Sequence, residues 1–327
     1  NLGYVGVAIS GALLAVKNVI GIGDIQAFIQ YVRNLTQPLS QVAQVMNQVQ
    51  SMGAAAERVF EFLAEEEESP DPVDALEDTD VKGYVEFDHV RFGYNPDQVI
   101  IKDFSASVKP GQKIAIVGPT GAGKTTIVKL LMRFYDVNSG SIKIDGEDIL
   151  RMSRHGLRDN VAMVLQDTWL YSDTIMENIR YGNPDATDEE VVAAAKAARA
   201  HHFIKTLPGS YSMKLNEDAT NISEGQKQLL TIARAILADR KLLILDEATS
   251  SVDTRTEVRI QEAMDNLMKG RTTFVIAHRL STIRNADLIL VMNHGDIIEQ
   301  GTHDELLARN GAYADLYNSQ FDEVEAS

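Results

Sequence analysis

Residues Gly118 to Thr126 have the types and the spacing of a phosphate-binding loop. Gly118-Pro-Thr-Gly-Ala-Gly123-Lys124-Thr125 matches the pattern G-x-x-x-x-G-K-[ST] and follows a short apolar run, residues 114–117. Glycines let successive backbone N–H groups point at phosphate oxygens, and a helix beginning near Gly123 would add the positive end of its dipole. A Gly-rich turn with a surface lysine is the alternative, but the strand–loop–helix context favours phosphate binding. The candidate ligands are Gly118, Pro119, Thr120, Gly121, Ala122, Gly123, Lys124, Thr125 and Thr126.

Within this loop, two side chains have separate expected roles. Lys124 would reach the β- and γ-phosphates of a nucleotide, and the Thr125 hydroxyl would bind Mg²⁺.

Two acidic residues end an apolar run later in the chain. Leu242-Leu-Ile-Leu-Asp246-Glu247 is typical of a buried strand that finishes in two carboxylates. Asp246 has the chemistry to order Mg²⁺ through water, and Glu247 could act as a base that polarises the attacking water. Such a pair could instead cap a helix, but a phosphate loop in the same chain favours the catalytic interpretation.

The charge of the chain argues against one class of partner. It has 327 residues, enough for two domains, and a formal net charge of −16 at pH 7. Nine acidic residues fall within residues 65–80, which contain no Lys or Arg, leaving −7 for the remainder. Because an acidic chain without a basic stripe binds nucleic-acid backbones poorly, no nucleic-acid partner is predicted. The absence of cysteine excludes disulfides and thiolate metal sites.

From Val81 onward, strand-like and helix-like segments alternate, which predicts an α/β fold with a parallel sheet covered by helices. An Asp-Gly pair within residues 141–149 predicts a hairpin, and Thr302 with Glu305 predicts a capping box before a C-terminal helix. The predicted strands are residues 84–92, 114–117, 242–245, 273–276 and 288–291, and the predicted helices include residues 188–200 and 226–238.

The first 63 residues have a different pattern. Leu2–Val16 is apolar and uncharged, and its 15 residues fall short of the roughly 20 that cross a bilayer. It is either a buried core helix or a spanning helix whose start is missing; we favour the second because the sequence opens inside the run. Residues 25–63 predict a long helix with Pro38 inside it, whose Gln-rich face could line a water-filled path or be solvated. Residues 65–80 predict a solvated linker rather than an interaction tail.

A third motif connects these features to a known family. Ile222-Ser223-Glu224-Gly225-Gln226 precedes a helical stretch and then the acidic strand. With the phosphate loop, it resembles the ATP-binding cassette (ABC) family, whose signature usually reads Leu-Ser-Gly-Gly-Gln. A carboxylate at contact distance would repel a triphosphate by about 1–4 kcal/mol, whereas one pointing outward would cost almost nothing. We expect Glu224 to point outward, because Ser223, Gly225 and Gln226 are all retained. The resemblance implies three contacts to the γ-phosphate of ATP held by a partner subunit: Ser223, Gly225 and Gln226.

Five more segments resemble elements of the same family. Tyr94 resembles the aromatic residue that stacks on adenine, although a half-buried strand tyrosine is the alternative on pattern alone. Gln166 resembles the glutamine that contacts Mg²⁺, and Asp253 lies in a segment resembling the one that crosses the dimer interface. His278 resembles the switch histidine that hydrogen-bonds the γ-phosphate. Residues 216–219 resemble, more loosely, the exporter-specific loop that senses the transmembrane helices.

The resemblance implies a fold, a domain organisation and a set of roles. The fold is an α/β P-loop NTPase with a parallel sheet core, an antiparallel β subdomain and a helical signature subdomain, preceded by part of an all-α transmembrane domain. Residues 1–64 would be the last two helices of a half-size exporter, 65–80 a linker and 81–327 the nucleotide-binding domain. ATP and Mg²⁺ would be the ligands. The implied catalytic residues are Lys124, Gln166, Glu247 and His278, and the implied metal ligands are Thr125, Gln166 and Asp246.

On this interpretation, ATP hydrolysis drives export of a drug-like, lipid or peptide substrate by a dimer with an identical or different half-transporter. The localisation implied is the plasma membrane, multi-pass, with the ATPase domain in the cytoplasm. One alternative is a soluble ABC ATPase acting on translation or DNA, which the apolar Leu2–Val16 disfavours. Another is a regulatory subunit that binds ATP without hydrolysis, which the presence of Glu247 and His278 disfavours.

Overall fold

A computed structural model describes residues 2–77, 81–95, 97–165, 168–246, 253–277 and 280–325. The chain divides into two compact units, Asn1–Pro70 and Asp71–Ser327.

The first unit contains two helices, α1 (Leu2–Val16) and α2 (Ile22–Leu63). The α2 helix begins three residues before the predicted start, since the Asp24 carboxylate accepts a hydrogen bond from the Gly21 N–H at 2.9 Å and caps the helix. It continues through Pro38 as one helix. Gly11 of α1 lies against Ile25, where an added Cβ would be 3.1 Å from its side-chain carbons. Of the helices in the described ranges, none combines the length and the apolar character that a bilayer crossing requires.

The second unit is built on one mixed sheet. Its order, written from edge to edge, is β5-β4-β1-β2-β10-β9-β3-β8-β7-β6. The strands are β1 (Val85–Phe92), β2 (Ile101–Val108), β3 (Lys113–Val117), β4 (Ser139–Ile144), β5 (Glu147–Asp148), β6 (Val161–Val164), β7 (Leu242–Asp246), β8 (Thr272–Ile276), β9 (Leu288–Asn293) and β10 (Asp296–Gly301).

Helices connect the strands and cover the sheet. The longest of them in this unit are α8 and α9, at 15 residues each. The helices are α3 (Lys124–Leu131), α4 (Arg154–Asp159), α5 (Ile175–Arg180), α6 (Asp188–Ala197), α7 (His201–Thr206), α8 (Glu224–Ala238), α9 (Thr254–Met268), α10 (Leu280–Arg284), α11 (His303–Arg309) and α12 (Ala312–Glu325).

The sheet has a parallel half and an antiparallel half. Strands β9, β3, β8, β7 and β6 run parallel, and their apolar side chains are almost fully buried, as strands covered by helices on both faces must be. Strands β1, β2, β4 and β5 pair antiparallel. The predicted hairpin is confirmed: β4 and β5 meet at Asp145-Gly146, where both residues have positive φ, as a tight hairpin turn requires.

Part of the acidic segment packs onto the second unit. Oδ1 of Asp71 accepts a hydrogen bond from Nη1 of Arg154 at 2.7 Å and lies 3.3 Å from Nη1 of Arg133. The Leu76 N–H donates to the Arg151 carbonyl at 3.0 Å. The two arginine side chains are only 4% and 10% exposed, so this carboxylate neutralises charge that has been taken out of water. The sequence predicts a solvated linker over residues 65–80; in the structure, residues 71–77 lie in the second unit.

Candidate nucleotide-binding site

The predicted phosphate loop follows β3 and leads into α3. Gly118, Gly121 and Gly123 all have positive φ, which folds the loop back over the end of the strand. At Gly118 glycine is also required by packing, because a Cβ there would clash with the Met292 carbonyl oxygen. The Gly295 N–H donates a hydrogen bond to the Ala122 carbonyl at 3.1 Å, which fixes the loop from the β9–β10 turn. The backbone N–H groups before α3 therefore lie at a rigid helix N-terminus, suited to an anion.

Lys124 is held across the mouth of this loop. Its Nζ donates hydrogen bonds to the carbonyls of Gly118 at 2.7 Å and Pro119 at 3.0 Å, and its side chain is half-buried. Burial lowers the pKa of Lys124, while the charge of Asp246 acts in the opposite direction. The ammonium group is thus fixed beside the loop with a carboxylate in electrostatic range.

The hydroxyl and the carboxylate proposed for Mg²⁺ come from the helix that follows β3 and from the end of β7. Thr125 is exposed in the first turn of α3, whereas the neighbouring Thr126 is buried. Asp246 ends β7, which is separated from β3 by β8 alone. Because the strands are parallel, their carboxyl ends meet at one edge, the place where α/β sheets bind ligands.

Tyr94 lies in an aromatic cluster next to α3. Its hydroxyl is 3.4 Å from Oγ1 of Thr126, and its ring packs edge-on against Phe92 at 5.1 Å and Tyr135 at 4.9 Å between centroids. Nζ of Lys129 lies 5.7 Å from the centroid of the Tyr94 ring. Tyr94 remains 41% exposed and Tyr135 44% exposed, so both rings offer apolar surface beside the phosphate loop. Tyr135 could not be predicted from the sequence, since no local pattern relates it to Tyr94.

The signature segment forms the N-terminus of α8. Ser223 is the cap: its hydroxyl accepts from the Gln226 N–H at 3.4 Å, and its own N–H donates to Oε1 of Gln226 at 3.0 Å. This capping box starts the helix at Glu224, two residues before the predicted start. Gly225 is buried, whereas Ser223 is exposed. Within the described chain, the hydrogen bonds of the Ser223 hydroxyl stay inside this cap, so it is not tied to the phosphate loop.

Asp253 has a structural role in addition to the one predicted from the sequence. It caps α9, and its carboxylate accepts from the Thr256 N–H at 3.0 Å. Hydrogen bonds from Thr256 lower the pKa of Asp253, and the side chain is exposed. Because the Asp253 side chain is exposed, capping α9 does not prevent it from contacting a second subunit. The predicted interface contact remains a prediction.

Three predicted catalytic residues, Gln166, Glu247 and His278, lie outside the described residues. Each follows a described strand within two residues: β6 ends at Val164, β7 at Asp246 and β8 at Ile276. These strands are neighbours and run parallel. The roles of these three residues remain predictions.

The fold and this loop define a P-loop nucleotide-binding domain: a parallel sheet whose central strand leads through a glycine-rich loop and a half-buried lysine into a helix. Comparison with known proteins agrees. The family model described as ABC transporter matches residues 101–250. The chain belongs to the ABC transporter family.

Relatives share almost the whole chain. It is 58% identical to a fatty acid ABC transporter ATP-binding/permease protein of Mycobacterium bovis, over 96% of this chain and 49% of the relative. It is 46% identical to an ATP-dependent lipid A-core flippase of Saccharophagus degradans, over 89% of this chain and 49% of the relative. The structure of a bacterial Atm1-family ABC exporter with ATP bound superposes with a TM-score of 0.75 at 40% identity, covering 93% of this chain and 53% of that one. The chain thus spans about half the length of the proteins it matches.

Proposed function

We propose that this chain binds and hydrolyses ATP through the phosphate loop. The observation that carries the proposal is the fixed loop with the half-buried Lys124 ammonium across its mouth. Backbone N–H groups and a half-buried cation together match a triphosphate, and the exposed Tyr94 ring supplies a stacking surface for a base. Mg²⁺-dependent phosphate release by the purified protein is the direct test, and its absence would leave only the binding-only alternative.

The residues present fit Mg²⁺ as a partner of the nucleotide rather than as a separately bound ion. The described residues contain no cluster of three His, Cys, Asp or Glu side chains that could hold a metal alone. The hydroxyl of Thr125 and the carboxylate of Asp246 would hold the ion together with phosphate oxygens, and Gln166 would add an amide oxygen. When bound, Mg²⁺ would neutralise charge on the transferred phosphoryl group.

A second cassette would complete each site. The exposed Ser223 at the N-terminus of α8 offers donors for a phosphate but is not tied to the phosphate loop of its own chain. We infer a head-to-tail pair in which the Ser223 segment of one copy faces the nucleotide of the other. The partner is either an identical chain or a different half-transporter.

We propose that hydrolysis drives export across the plasma membrane. Apolar side chains on α1 and α2 are exposed in the first unit, among them Ile9 at 58%, Leu13 at 61% and Phe28 at 57%, and such surface requires lipid or further helices as cover. The relatives include a fatty acid transporter and a lipid flippase. A lipid-like cargo is therefore our first candidate. Recovery of the full-length protein without detergent would support the soluble alternative instead.

Replacing Glu247 with Gln is expected to lower ATP turnover at least roughly 100-fold while leaving ATP binding intact, because the amide cannot polarise the attacking water. The variant should accumulate as an ATP-bound dimer, seen by size-exclusion chromatography with MgATP. Turnover equal to that of the unaltered protein would remove Glu247 from the catalytic role.

Replacing Tyr94 with Ala is expected to raise the KM for ATP about 5- to 150-fold, because stacking of a base on an aromatic ring contributes about 1–3 kcal/mol. Tyr94→Phe keeps the ring and loses only a long contact to Thr126, so its KM should stay within about twofold of the unaltered value. An equal rise in both variants would show that the hydroxyl, and not the ring, binds the nucleotide.

A further inference from the structure

The carboxylate that departs from the usual signature sequence has two partners in the structure. Oε1 of Glu224 accepts a hydrogen bond from Oγ1 of Thr168 at 2.8 Å, and Oε2 lies 3.2 Å from Nζ of Lys227. Each oxygen thus has its own donor. The Lys227 side chain is only 16% exposed, whereas that of Glu224 is 54% exposed. The glycine usual at this position could make neither contact.

Without these contacts, the carboxylate would be free to turn toward the Ser223 cap. Glu224 is the first residue of α8, directly after Ser223 and before Gly225, and its side chain is exposed. The donors at this helix end suit an anion, and a carboxylate among them would compete with a phosphate and repel it. The direction of the Glu224 side chain therefore affects how well the segment accepts a γ-phosphate.

The segment that carries Thr168 is attached to α8 at a second point. Next to Thr168, the carbonyl of Trp169 accepts a hydrogen bond from Nη1 of Arg234 at 3.2 Å. Arg234 also donates from Nε to the Asn178 carbonyl at 3.0 Å, and its guanidinium lies 4.9 Å from the centroid of the Tyr181 ring. The segment that carries Thr168 is thus held near both ends of the helix, so its hydroxyl is preorganised for Glu224.

We propose that Thr168 and Lys227 are positioning residues that hold the Glu224 carboxylate away from the phosphate bound by the Ser223 segment. The inference rests on the proposed function, in which that segment faces the ATP of a partner copy. The inference also explains why a carboxylate is tolerated in the signature segment. Thr168, in the segment that follows β6, donates a hydrogen bond to one of the two oxygens of Glu224.

The test is a set of variants of the full-length protein assayed for ATP hydrolysis at several ATP and salt concentrations. Thr168→Val keeps the shape of the side chain and removes the donor. It should raise the ATP concentration for half-maximal activity roughly three- to tenfold at low salt, and less at high salt because the repulsion is screened. Thr231→Val is the matched control: the Thr231 hydroxyl, also on α8, donates to the Gln228 carbonyl at 2.8 Å and has no other hydrogen bond within the described residues. It should leave half-saturation unchanged.

The second half of the experiment removes the charge. In a Glu224→Gln background no carboxylate remains to repel phosphate, so adding Thr168→Val should cause no further change in half-saturation. If T168V/E224Q is impaired as much as T168V, Thr168 acts through the fold and the proposal is wrong. The proposal is equally wrong if T168V hydrolyses ATP with unaltered half-saturation. Failure of the unaltered protein to hydrolyse MgATP would instead refute the proposed function on which the inference depends.

Discussion

A Lys124→Ala variant should lose measurable binding of MgATP, and ATP turnover should fall by roughly 100-fold or more, as for removal of a preorganised donor to a developing negative charge. The ammonium group is the cation fixed at the phosphate loop, with Nζ 2.7 Å from the Gly118 carbonyl. Alanine would leave phosphate oxygens facing backbone N–H groups alone. Equilibrium binding of a fluorescent ATP analogue to the detergent-solubilised full-length protein, followed by phosphate release, measures both effects.

Lys109→Ala is the matched control for this prediction. Lys109 is exposed just before β3, at the end of that strand opposite the phosphate loop. Its substitution therefore removes the same charge from the chain without altering the site. Its affinity for MgATP should be unaltered. Undiminished affinity in Lys124→Ala would exclude the phosphate loop as the nucleotide site.

The second large effect is expected on stability. Replacing Asp71 with Asn should destabilise the second unit by about 2 kcal/mol, because Arg133 and Arg154 would lose the charge that neutralises them while remaining buried. Asp136 still contacts both arginines, which limits the loss. For a unit of this size, the midpoint of thermal unfolding should fall by about 4–8 °C, measured by calorimetry.

Asp74→Asn is the control, since Asp74 lies in the same acidic segment and is exposed. It should leave the midpoint within about one degree, as exposed substitutions away from any contact do. A midpoint unaltered by Asp71→Asn would show that residues 71–77 contribute nothing to the stability of the unit.

The contribution of Asp71 should also depend on pH. Burial alone raises the pKa of Asp71, but hydrogen bonds from Arg154 and the charges of Arg154 and Arg133 outweigh it and leave the pKa below its ordinary value. Because the pKa of Asp71 is lowered in the folded state, its stabilisation is complete above the pKa of the unfolded state and is lost as the pH falls through the pKa of the folded state. The difference in free energy of unfolding between the unaltered protein and Asp71→Asn should therefore shrink only below about pH 4.

Most strands in the parallel half of the sheet could be predicted from local sequence. Strands β3, β7, β8 and β9 are short apolar runs, and the structure extends each by one or two residues. Strand β10 was not predicted because it carries Asp296 and Glu299 and is only half-buried. Its place between β9 and β2 depends on pairing with distant strands, which no local pattern encodes.

In the site, the parts that follow from backbone chemistry could be predicted, and the parts that follow from packing could not. The phosphate loop is specified by glycines and a lysine at fixed spacing. The contact of Tyr135 with Tyr94 joins residues about forty positions apart, and that of Thr168 with Glu224 joins residues 56 positions apart. The outward direction expected for Glu224 stays a prediction, and its hydrogen-bond partner Thr168 could not be deduced from the sequence.

The bracing of the phosphate loop has a consequence for synthesis of the protein. The loop is complete in the chain by Thr126, yet the strands on either side of β3 are β8 and β9, and the N–H that holds the Ala122 carbonyl belongs to Gly295. A nascent chain must therefore emerge from the ribosome almost to its last two helices before the loop can take up its final shape. Until β8 and β9 have been synthesised, both edges of β3 lack their neighbouring strands, and unpaired strand edges are sites of aggregation.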